Sequence, residues 1–248
     1  MKIVDAFWEE RNLGKKTAEI EVEKGDSIRE IREILVQMEK EKDYLVVKLP
    51  PAFLCEWEEL ESRGYRFAEC LLSFSIKIQE FHEERKDFFF FREEQGIEAV
   101  DSFEKLTFLQ EEIRKGIFVT DRVALSPSFG PEKANFRYSM WIEDLFSKKG
   151  SFLFFISWKG RRVGFFSVQK RGEKSAQGLL AGIFPEFRRY PFGLGILYHP
   201  LVFLKNGGFK KYSAVVSSNN FPVVKLYEYF GFRIGEIKKV FIKLLPEK

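Results

Sequence analysis

The chain has 248 residues, of which 45% are hydrophobic and 31% are charged. This balance, with 29 Phe residues, supplies ample apolar material for a core and excludes an intrinsically disordered chain. No apolar run approaches the ~20 residues of a membrane helix. Asp5, Glu9 and Glu10 interrupt the start, so we expect no signal peptide. Cys55 and Cys70 lack metal-ligand or redox spacing, which favours reduced thiols in a cytoplasmic protein.

The net charge of +4 conceals two regions of opposite sign. Residues 1–95 carry 16 Lys and Arg against 23 Asp and Glu, a net charge of −7. Residues 96–248 carry 25 against 14, a net charge of +11. We therefore predict two domains with a boundary near residue 95. The basic region is expected to attract an anionic ligand, and no basic helix or basic–aromatic motif points to a nucleic acid.

The first region alternates strands and helices. The apolar pattern predicts strands over 16–23, 44–49 and 66–78, a helix from Ile28 to Met38 and a helix over 53–63. The resulting βαβαβ order is that of an α/β domain. Residues 79–95 break the pattern and are predicted to be a connector whose Phe88–Phe91 run packs between the two regions.

The second region predicts a mixed α/β domain around one sheet. Helices are expected over 101–115, 131–149, 193–206 and 221–230. Strands are expected over 152–158, 163–169, 176–184, 212–217 and 240–245. The segment 116–130 is predicted to be a loop between the first two helices.

Two segments of the chain look alike. Residues 60–69 and 227–236 each run helix, Gly, aromatic residue, Arg and strand, with Gly64 and Gly231 as left-handed helix stops. A truncated internal duplication and simple convergence both explain this. Only the second copy follows a Gly-x-Gly segment, Gly193-Leu194-Gly195. Function that depends on this segment is therefore predicted for the second region alone.

A Gly-x-Gly at a helix start leaves backbone N–H groups free to bind an anion such as a pyrophosphate. Its combination with the motifs around it resembles the GNAT superfamily of N-acetyltransferases over about residues 97–248. The residues that carry the resemblance are Pro185-Glu186-Phe187-Arg188, Gly193-Leu194-Gly195, Asn220 and Leu226-Tyr227-Glu228-Tyr229-Phe230-Gly231-Phe232. Tyr190 stands where the family has Arg or Gln, and Arg188 fits that role only with a two-residue insertion.

The resemblance implies the fold and the cosubstrate. The fold would be a mixed central sheet of the GNAT acyl-CoA N-acyltransferase type, preceded by a truncated GNAT-like α/β domain. The strands before Pro185 and after Lys211 would splay apart and admit the pantetheine arm of acetyl-CoA, and no metal is implied. The expected acetyl-CoA-binding residues are Ile183, Phe184, Arg188, Arg189, Phe192, Gly193, Leu194, Gly195 and Asn220.

The resemblance also implies the chemistry. A strand N–H near Ile183 would polarise the acetyl carbonyl, and Tyr227 would protonate the leaving thiolate as a general acid. The strand over 178–184 carries no carboxylate. The amine would therefore lose its proton through water held by backbone carbonyls, or by Ser217 or Asn219.

The layout of a half-domain before a GNAT domain is similar, within that superfamily, to the dTDP-fucosamine acetyltransferases. This similarity rests on the segments 118–122, 141–143 and 178–182 and on Tyr138. It implies a nucleotide-linked amino sugar as acceptor, bound by Asp121, Arg122 and Tyr138, with Arg122 paired to a diphosphate. Two alternatives stay open: a peptide or protein amine acetyltransferase, and a catalytically silent CoA-binding module. A homodimer is the candidate assembly.

Overall fold

The computed structural model describes residues 1–246, which contain ten β-strands and eight α-helices. The strands are β1 (Lys2–Asp5), β2 (Thr17–Glu21), β3 (Tyr44–Leu49), β4 (Arg66–Lys77), β5 (Gln95–Ala99), β6 (Ser151–Trp158), β7 (Arg161–Lys170), β8 (Ser175–Ile183), β9 (Lys211–Ser217) and β10 (Arg233–Leu244). The helices are α1 (Trp8–Leu13), α2 (Ile28–Glu41), α3 (Leu54–Ser62), α4 (Phe89–Glu93), α5 (Phe103–Arg114), α6 (Gly130–Phe146), α7 (Gly195–Asn206) and α8 (Phe221–Tyr229). None of these helices is both long and apolar enough to cross a membrane.

The chain forms two compact units. The first comprises Met1–Leu72, Ser217–Asn219 and the C-terminal segment from Glu236, and the second comprises Ser73–Val216 and Asn220–Gly235. Compact packing does not test whether residues 1–95 and 96–248 fold as separate domains, so that division stays a prediction.

In the first unit, β1 pairs antiparallel with β2, β2 pairs parallel with β3, and β3 pairs antiparallel with β10. Helix α2 begins with a capping box: the Ser27 hydroxyl accepts from the Glu30 amide, and the Ser27 amide donates to the Glu30 carboxylate. Its apolar stripe of Ile31, Leu35 and Met38 is buried in the core of this unit. The predicted helical spacing is confirmed.

In the second unit, β5, β6, β7 and β8 pair antiparallel in that order, and β9 pairs parallel with β8. Helix α7 is the most deeply buried helix, and Leu201 and Leu204 are fully inaccessible. His199 on α7 is buried, and its Nε2 lies 3.0 Å from Oε1 of Gln95. Burial lowers the pKa of His199 to about 4.

The helices and strands predicted from periodicity are all present, although β10 begins at Arg233, seven residues before the predicted start. The predicted connector over 79–95 is wrong in part. It contains α4 and two one-turn 3₁₀ helices, Ile78–Glu80 and Lys86–Phe88, and β5 begins at Gln95. Strand β5 escapes a periodicity search because its large apolar residue, Ile97, is exposed, and the strand is held by backbone pairing with β6 and by polar contacts of Gln95 and Glu98.

The aromatic run Phe88–Phe91 belongs to the second unit. Phe88 stacks on Phe230 with ring centroids 4.9 Å apart, and Phe88 and Phe91 both contact Tyr198 on α7. These contacts join the run to helices α7 and α8 of the unit in which it lies. The expectation that it packs between the two regions stays a prediction.

The two similar segments form the same turn. Gly64 follows α3 with φ of 80°, and Gly231 follows α8 with φ of 79°. In both, the next residue donates its amide to the carbonyl four residues before the glycine: Tyr65 to Leu60, and Phe232 to Tyr227. The left-handed stops are confirmed, because glycine adopts this conformation without a Cβ clash.

The buried His199 predicts a pH dependence of folding. In the folded chain its pKa is about 4, against 6.5 for an exposed histidine. The unfolded chain therefore binds the His199 proton more tightly than the folded chain does. The resulting contribution to the free energy of unfolding, up to about 3 kcal/mol, is fully present above pH ~6.5 and is lost as the pH falls towards ~4. His199→Gln is expected to flatten the loss of unfolding free energy between pH 7 and 4.5, measured by urea titration. His82→Gln, at an exposed position, is the control, and equal slopes for both variants would contradict the prediction.

Candidate active site

The central feature of the second unit is the place where β8 and β9 stop pairing. Their parallel register runs from Ser175 opposite Lys211 to Gly178 opposite Ala214 and then ends. Strand β8 nevertheless continues to Ile183. No hydrogen bond among residues 1–246 joins 179–183 to β9 beyond Ala214. The predicted splay of these two strands is therefore present, and we call the space between them the gap.

The backbone of β8 presents N–H groups towards the gap. On the opposite side, the Phe184 amide donates to the Val163 carbonyl at 2.9 Å, and Ile183 stands opposite Gly164. Along an antiparallel strand, the backbone N–H groups of successive residues point alternately towards one neighbouring strand and then the other. The Ile183 N–H therefore points away from β7 and towards the gap, which is the direction that the predicted role of Ile183 requires.

The start of α7 offers a second set of free donors. Among residues 1–246, the amides of Gly193 and Leu194 donate no hydrogen bond. Gly193 is exposed, its φ is outside the left-handed region, and a Cβ placed on it would meet no atom within 4 Å. The open side of Gly193 and the two free amides are features that the predicted pyrophosphate site requires.

Gly195 has a different reason to be glycine. A Cβ at this position would lie 2.7 Å from Oε1 of Gln95, with His199 and Phe91 atoms at 3.5 Å. The residue is buried where α7 packs closely against β5 and α4. The structure therefore gives Gly195 a packing role, and its predicted contact with the cosubstrate stays a prediction.

The side chains before Gly193 divide into two groups. Phe192 is buried, and Tyr190 stacks on it with ring centroids 5.3 Å apart, so the residue at the family's Arg/Gln position joins an aromatic cluster. Arg188 is exposed, and its Nη2 donates to the carbonyls of Gly116 and Ile117 at 2.6 and 3.1 Å. Arg189 is exposed. Of these side chains, Arg189 alone is both cationic and uncommitted to a protein partner among residues 1–246.

Tyr227 on α8 is 6% exposed. Its ring stacks on Phe74 and meets Phe232 edge-on, in both cases with centroids 4.8 Å apart. Burial raises the pKa of Tyr227 well above that of a free phenol, so the hydroxyl keeps its proton at neutral pH. The hydroxyl makes no hydrogen bond within residues 1–246, which leaves it available to a substrate atom.

Tyr212 on β9 is a residue that the sequence analysis missed. A Cβ added to Gly178 would lie 2.2 Å from the Tyr212 hydroxyl, so this hydroxyl sits at the point where pairing ends. Burial, and secondarily the neighbouring Tyr227, raise the pKa of Tyr212. The sequence contains two features that indicate this contact: a glycine, Gly178, within an apolar strand, and a tyrosine, Tyr212, in the strand that follows it along the chain.

Two further predicted cosubstrate residues differ in their availability. Asn220 precedes α8 without capping it, and its side chain makes no hydrogen bond within the described chain. The Phe184 ring is buried among Phe108, Phe155 and Phe165. The Phe184 amide and carbonyl are both used in backbone hydrogen bonds. A direct role for Phe184 stays a prediction that this placement does not favour.

The predicted acceptor residues Asp121 and Arg122 lie on the loop after α5, and Tyr138 on α6 contacts that loop. The Tyr138 hydroxyl donates to Oδ2 of Asp121 at 2.7 Å, and the Ala124 amide donates to Oδ1 at 2.8 Å. Burial and the Asp121 carboxylate raise the pKa of Tyr138, and Arg122 lies close enough to oppose that shift. The Tyr138 ring packs on Phe118 with centroids 4.1 Å apart.

The residues considered for proton removal have protein partners. The Asn219 side chain donates to the Ala68 carbonyl at 3.2 Å, and the Ser217 hydroxyl accepts from the Asn219 amide at 3.2 Å.

A cavity of ≈ 410 Å³ lies elsewhere in the second unit, between α4, β5 and α7, and none of the predicted site residues line it.

Comparison with known proteins gives a family match for part of the chain. Residues 118–232 match the acetyltransferase (GNAT) family model. No curated protein sequence matches the chain. The resemblance to dTDP-fucosamine acetyltransferases accordingly finds no support.

Among the solved structures that are similar to the chain, three illustrate the range of relatives. A GCN5-related N-acetyltransferase from Sphaerobacter thermophilus has a TM-score of 0.65 at 12% identity, covering 94% of this chain and 74% of that chain. A conserved protein of unknown function from Staphylococcus epidermidis has a TM-score of 0.63 at 13% identity, covering 93% and 85%. A glucosamine N-acetyltransferase region of a fungal multi-domain β-N-acetylglucosaminidase has a TM-score of 0.62 at 13% identity, covering 98% and 31%.

At these identities the solved structures establish the fold alone, and the predicted GNAT-type mixed α/β fold is confirmed. The family match adds the reaction class, because GNAT enzymes transfer an acetyl group from acetyl-CoA to an amine. Residues 118–232 thus match an acetyltransferase domain of the GNAT type, and this match supports an acyltransferase.

Proposed function

We propose that the gap between β8 and β9, with the start of α7, binds acetyl-CoA for transfer to the primary amine of a nucleotide-linked amino sugar. The observation that carries the proposal is the loss of pairing after Gly178, because the backbone groups of alternate residues of β8 beyond it, such as Ile183, then face the gap rather than β7. Buried backbone groups are paired almost without exception. An extended arm with amide groups, such as pantetheine, satisfies them.

The described residues fit acetyl-CoA at its anionic end as well. The amides of Gly193 and Leu194 are free, Gly193 leaves open space, and the exposed Arg189 supplies positive charge. A pyrophosphate at a helix start also gains from the helix dipole. Bound acetyl-CoA supplies the thioester carbonyl that the acceptor amine attacks.

The chain's own groups would act in sequence on that carbonyl. The Ile183 N–H donates to the carbonyl oxygen and stabilises the negative charge that develops there. As the amine nitrogen bonds to the carbonyl carbon and the carbon–sulfur bond breaks, the Tyr227 hydroxyl gives its proton to the sulfur. The amine's proton leaves to water, since β8 carries no carboxylate.

The acceptor is proposed from the loop after α5. Each Asp121 oxygen accepts one hydrogen bond and retains a lone pair for an ammonium or a sugar hydroxyl. The aromatic faces of Phe118, Tyr138 and Trp141 suit a flat ring. The net charge of +11 over residues 96–248 favours a diphosphate-bearing acceptor over a cationic peptide. The cytoplasmic location and the homodimer stay predictions.

An acceptor screen tests this proposal. Release of the CoA thiol is measured with a dTDP-linked 4-amino sugar, free glucosamine and a tripeptide with a free α-amine. We expect the highest kcat/KM for the nucleotide-linked sugar. A preference for the tripeptide would overturn the acceptor. Acetyl-CoA binding with no turnover on any amine would favour the silent binding module, as the missing strand carboxylate also does.

Tyr227→Phe tests the general acid. The variant is expected to lose about 10²-fold or more in kcat with the best acceptor, while the acetyl-CoA Kd from calorimetry stays unchanged. Because burial raises the pKa of Tyr227, wild-type kcat should not decline from loss of this proton up to about pH 10.

Tyr229→Phe is the matched control, because Tyr229 is exposed on the same helix and its hydroxyl contacts Asp87. Tyr212→Phe separates the two phenols. Wild-type turnover in Tyr227→Phe would remove the acid role from Tyr227, and loss in Tyr212→Phe alone would assign it to Tyr212.

The two glycines before and within α7 are expected to respond differently to substitution. Gly193→Val should keep the wild-type Tm but weaken acetyl-CoA binding about tenfold or more, roughly 1.4 kcal/mol. Gly195→Ala should lower the unfolding free energy by about 1 kcal/mol, because Gln95 must move and release His199. Calorimetry and urea titration measure both quantities. Unchanged acetyl-CoA affinity in Gly193→Val would contradict the proposed phosphate site.

A further inference from the structure

Arg188 connects two segments of the second unit that serve different substrates in the proposed function. We name residues 188–194 the pyrophosphate loop and residues 116–129 the acceptor loop. The Arg188 Nη2 donates to the carbonyls of Gly116 and Ile117, the first two residues of the acceptor loop, at 2.6 and 3.1 Å. Carbonyls at the end of a helix such as α5 lack intrahelical donors, and a cation there also complements the helix dipole.

The same end of the acceptor loop is held at two other points. Ile117 packs over Gly182, where a Cβ would lie 2.5 Å from its Cγ2, one residue before Ile183. The Asn135 side chain accepts from the Phe118 amide and donates to the Phe118 carbonyl, both at 2.8 Å. Arg188, which belongs to the pyrophosphate loop, thus contacts the start of the acceptor loop through its side chain.

We propose that Arg188 is a positioning residue that couples occupancy of the pyrophosphate loop to the order of the acceptor loop. This inference rests on the proposed acetyl-CoA site. A diphosphate on the amides of Gly193 and Leu194 restricts the backbone that carries Arg188. The guanidinium then keeps its hydrogen bonds to the Gly116 and Ile117 carbonyls for a larger fraction of the time. This restricts the acceptor loop and keeps the turn at Asp121 ordered. Coupling of this kind needs a segment whose order both sites influence.

This role differs from the one that the sequence resemblance implied. To bind the pyrophosphate, the Arg188 guanidinium would have to release both carbonyls. The bond to the Gly116 carbonyl, at 2.6 Å, is as short as a charge-assisted hydrogen bond, and the bond to the Ile117 carbonyl, at 3.1 Å, has an ordinary N–H···O length. The charge for the phosphate then comes from Arg189 and from the backbone.

Amide hydrogen exchange measures the coupling without an acceptor. Exchange of the 117–125 amides is followed in wild type, Arg188→Met, Arg188→Lys and Arg189→Met, each with and without acetyl-CoA, and calorimetry gives the Kd. Acetyl-CoA is expected to slow this exchange in wild type. Arg188→Met should exchange about tenfold faster without ligand, since about 1.4 kcal/mol of hydrogen bonding corresponds to tenfold. It should also lose the acetyl-CoA response, with its Kd within about twofold of wild type.

The matched variants separate the possible roles. Arg188→Lys keeps one charged donor and should restore part of the acetyl-CoA response. Arg189→Met should bind acetyl-CoA more weakly, because Arg189 supplies charge for the phosphate, but should show the full response once it is saturated. A purely structural role would change exchange equally with and without acetyl-CoA and would overturn the coupling. A more than tenfold weaker Kd in Arg188→Met with unchanged exchange would make Arg188 a pyrophosphate ligand and also overturn it. If wild type binds no acetyl-CoA, the proposed function fails, which the Kd shows independently of the exchange data.

Because Arg188 is exposed, Arg188→Met is expected to fold. Far-UV circular dichroism and the Tm check this. If Arg188→Met does not fold, Arg188→Lys carries the same comparison, and an unchanged acetyl-CoA response in a folded Arg188→Lys with rapid loop exchange would overturn the proposal.

Discussion

The proposed site depends on an interrupted hydrogen-bond ladder. Strands β8 and β9 pair for four residues and separate after Gly178, although β8 continues to Ile183 with its other edge still paired to β7. The pairing to β7 fixes which amides face the gap, because donors alternate along the strand. Tyr212 occupies the separation point, and only a glycine opposite its hydroxyl leaves it room. The geometry that would receive an acyl donor is therefore built from backbone positions and one packed tyrosine.

The two glycines of the Gly-x-Gly segment show how one motif combines two constraints. Gly193 faces open space, so its lack of a side chain leaves room for the proposed pyrophosphate. Gly195 faces Gln95 and Phe91, so its lack of a side chain allows α7 to pack closely against these residues. That packing also buries His199 and holds the helix start in place. The proposed binding position and the packing position are thus two residues apart in the same segment.

Much of this architecture could be predicted from the sequence. The strands and helices with strong apolar periodicity, the left-handed glycines after α3 and α8, and the splayed strands follow from local patterns and from the GNAT resemblance. Strand β5 and helix α4 could not be predicted, because edge pairing and aromatic packing hold them rather than periodicity. The Arg188 bonds to Gly116 and Ile117 join residues about seventy positions apart, and no local pattern encodes such a contact. Tyr212 was missed for a related reason, since its importance comes from the glycine beside it in the sheet.

Nitrogen-15 chemical shifts of the backbone amides, recorded as acetyl-CoA is added, test the central claim most directly. The account predicts that the amides of Ile183, Gly193 and Leu194 move most and saturate together, and that ATP moves Gly193 and Leu194 but not Ile183. Amides in the paired part of β8, such as Ala176, should stay in place. Saturating acetyl-CoA that leaves Ile183 and Gly193 unmoved, or moves the paired and splayed parts of β8 alike, would contradict the account.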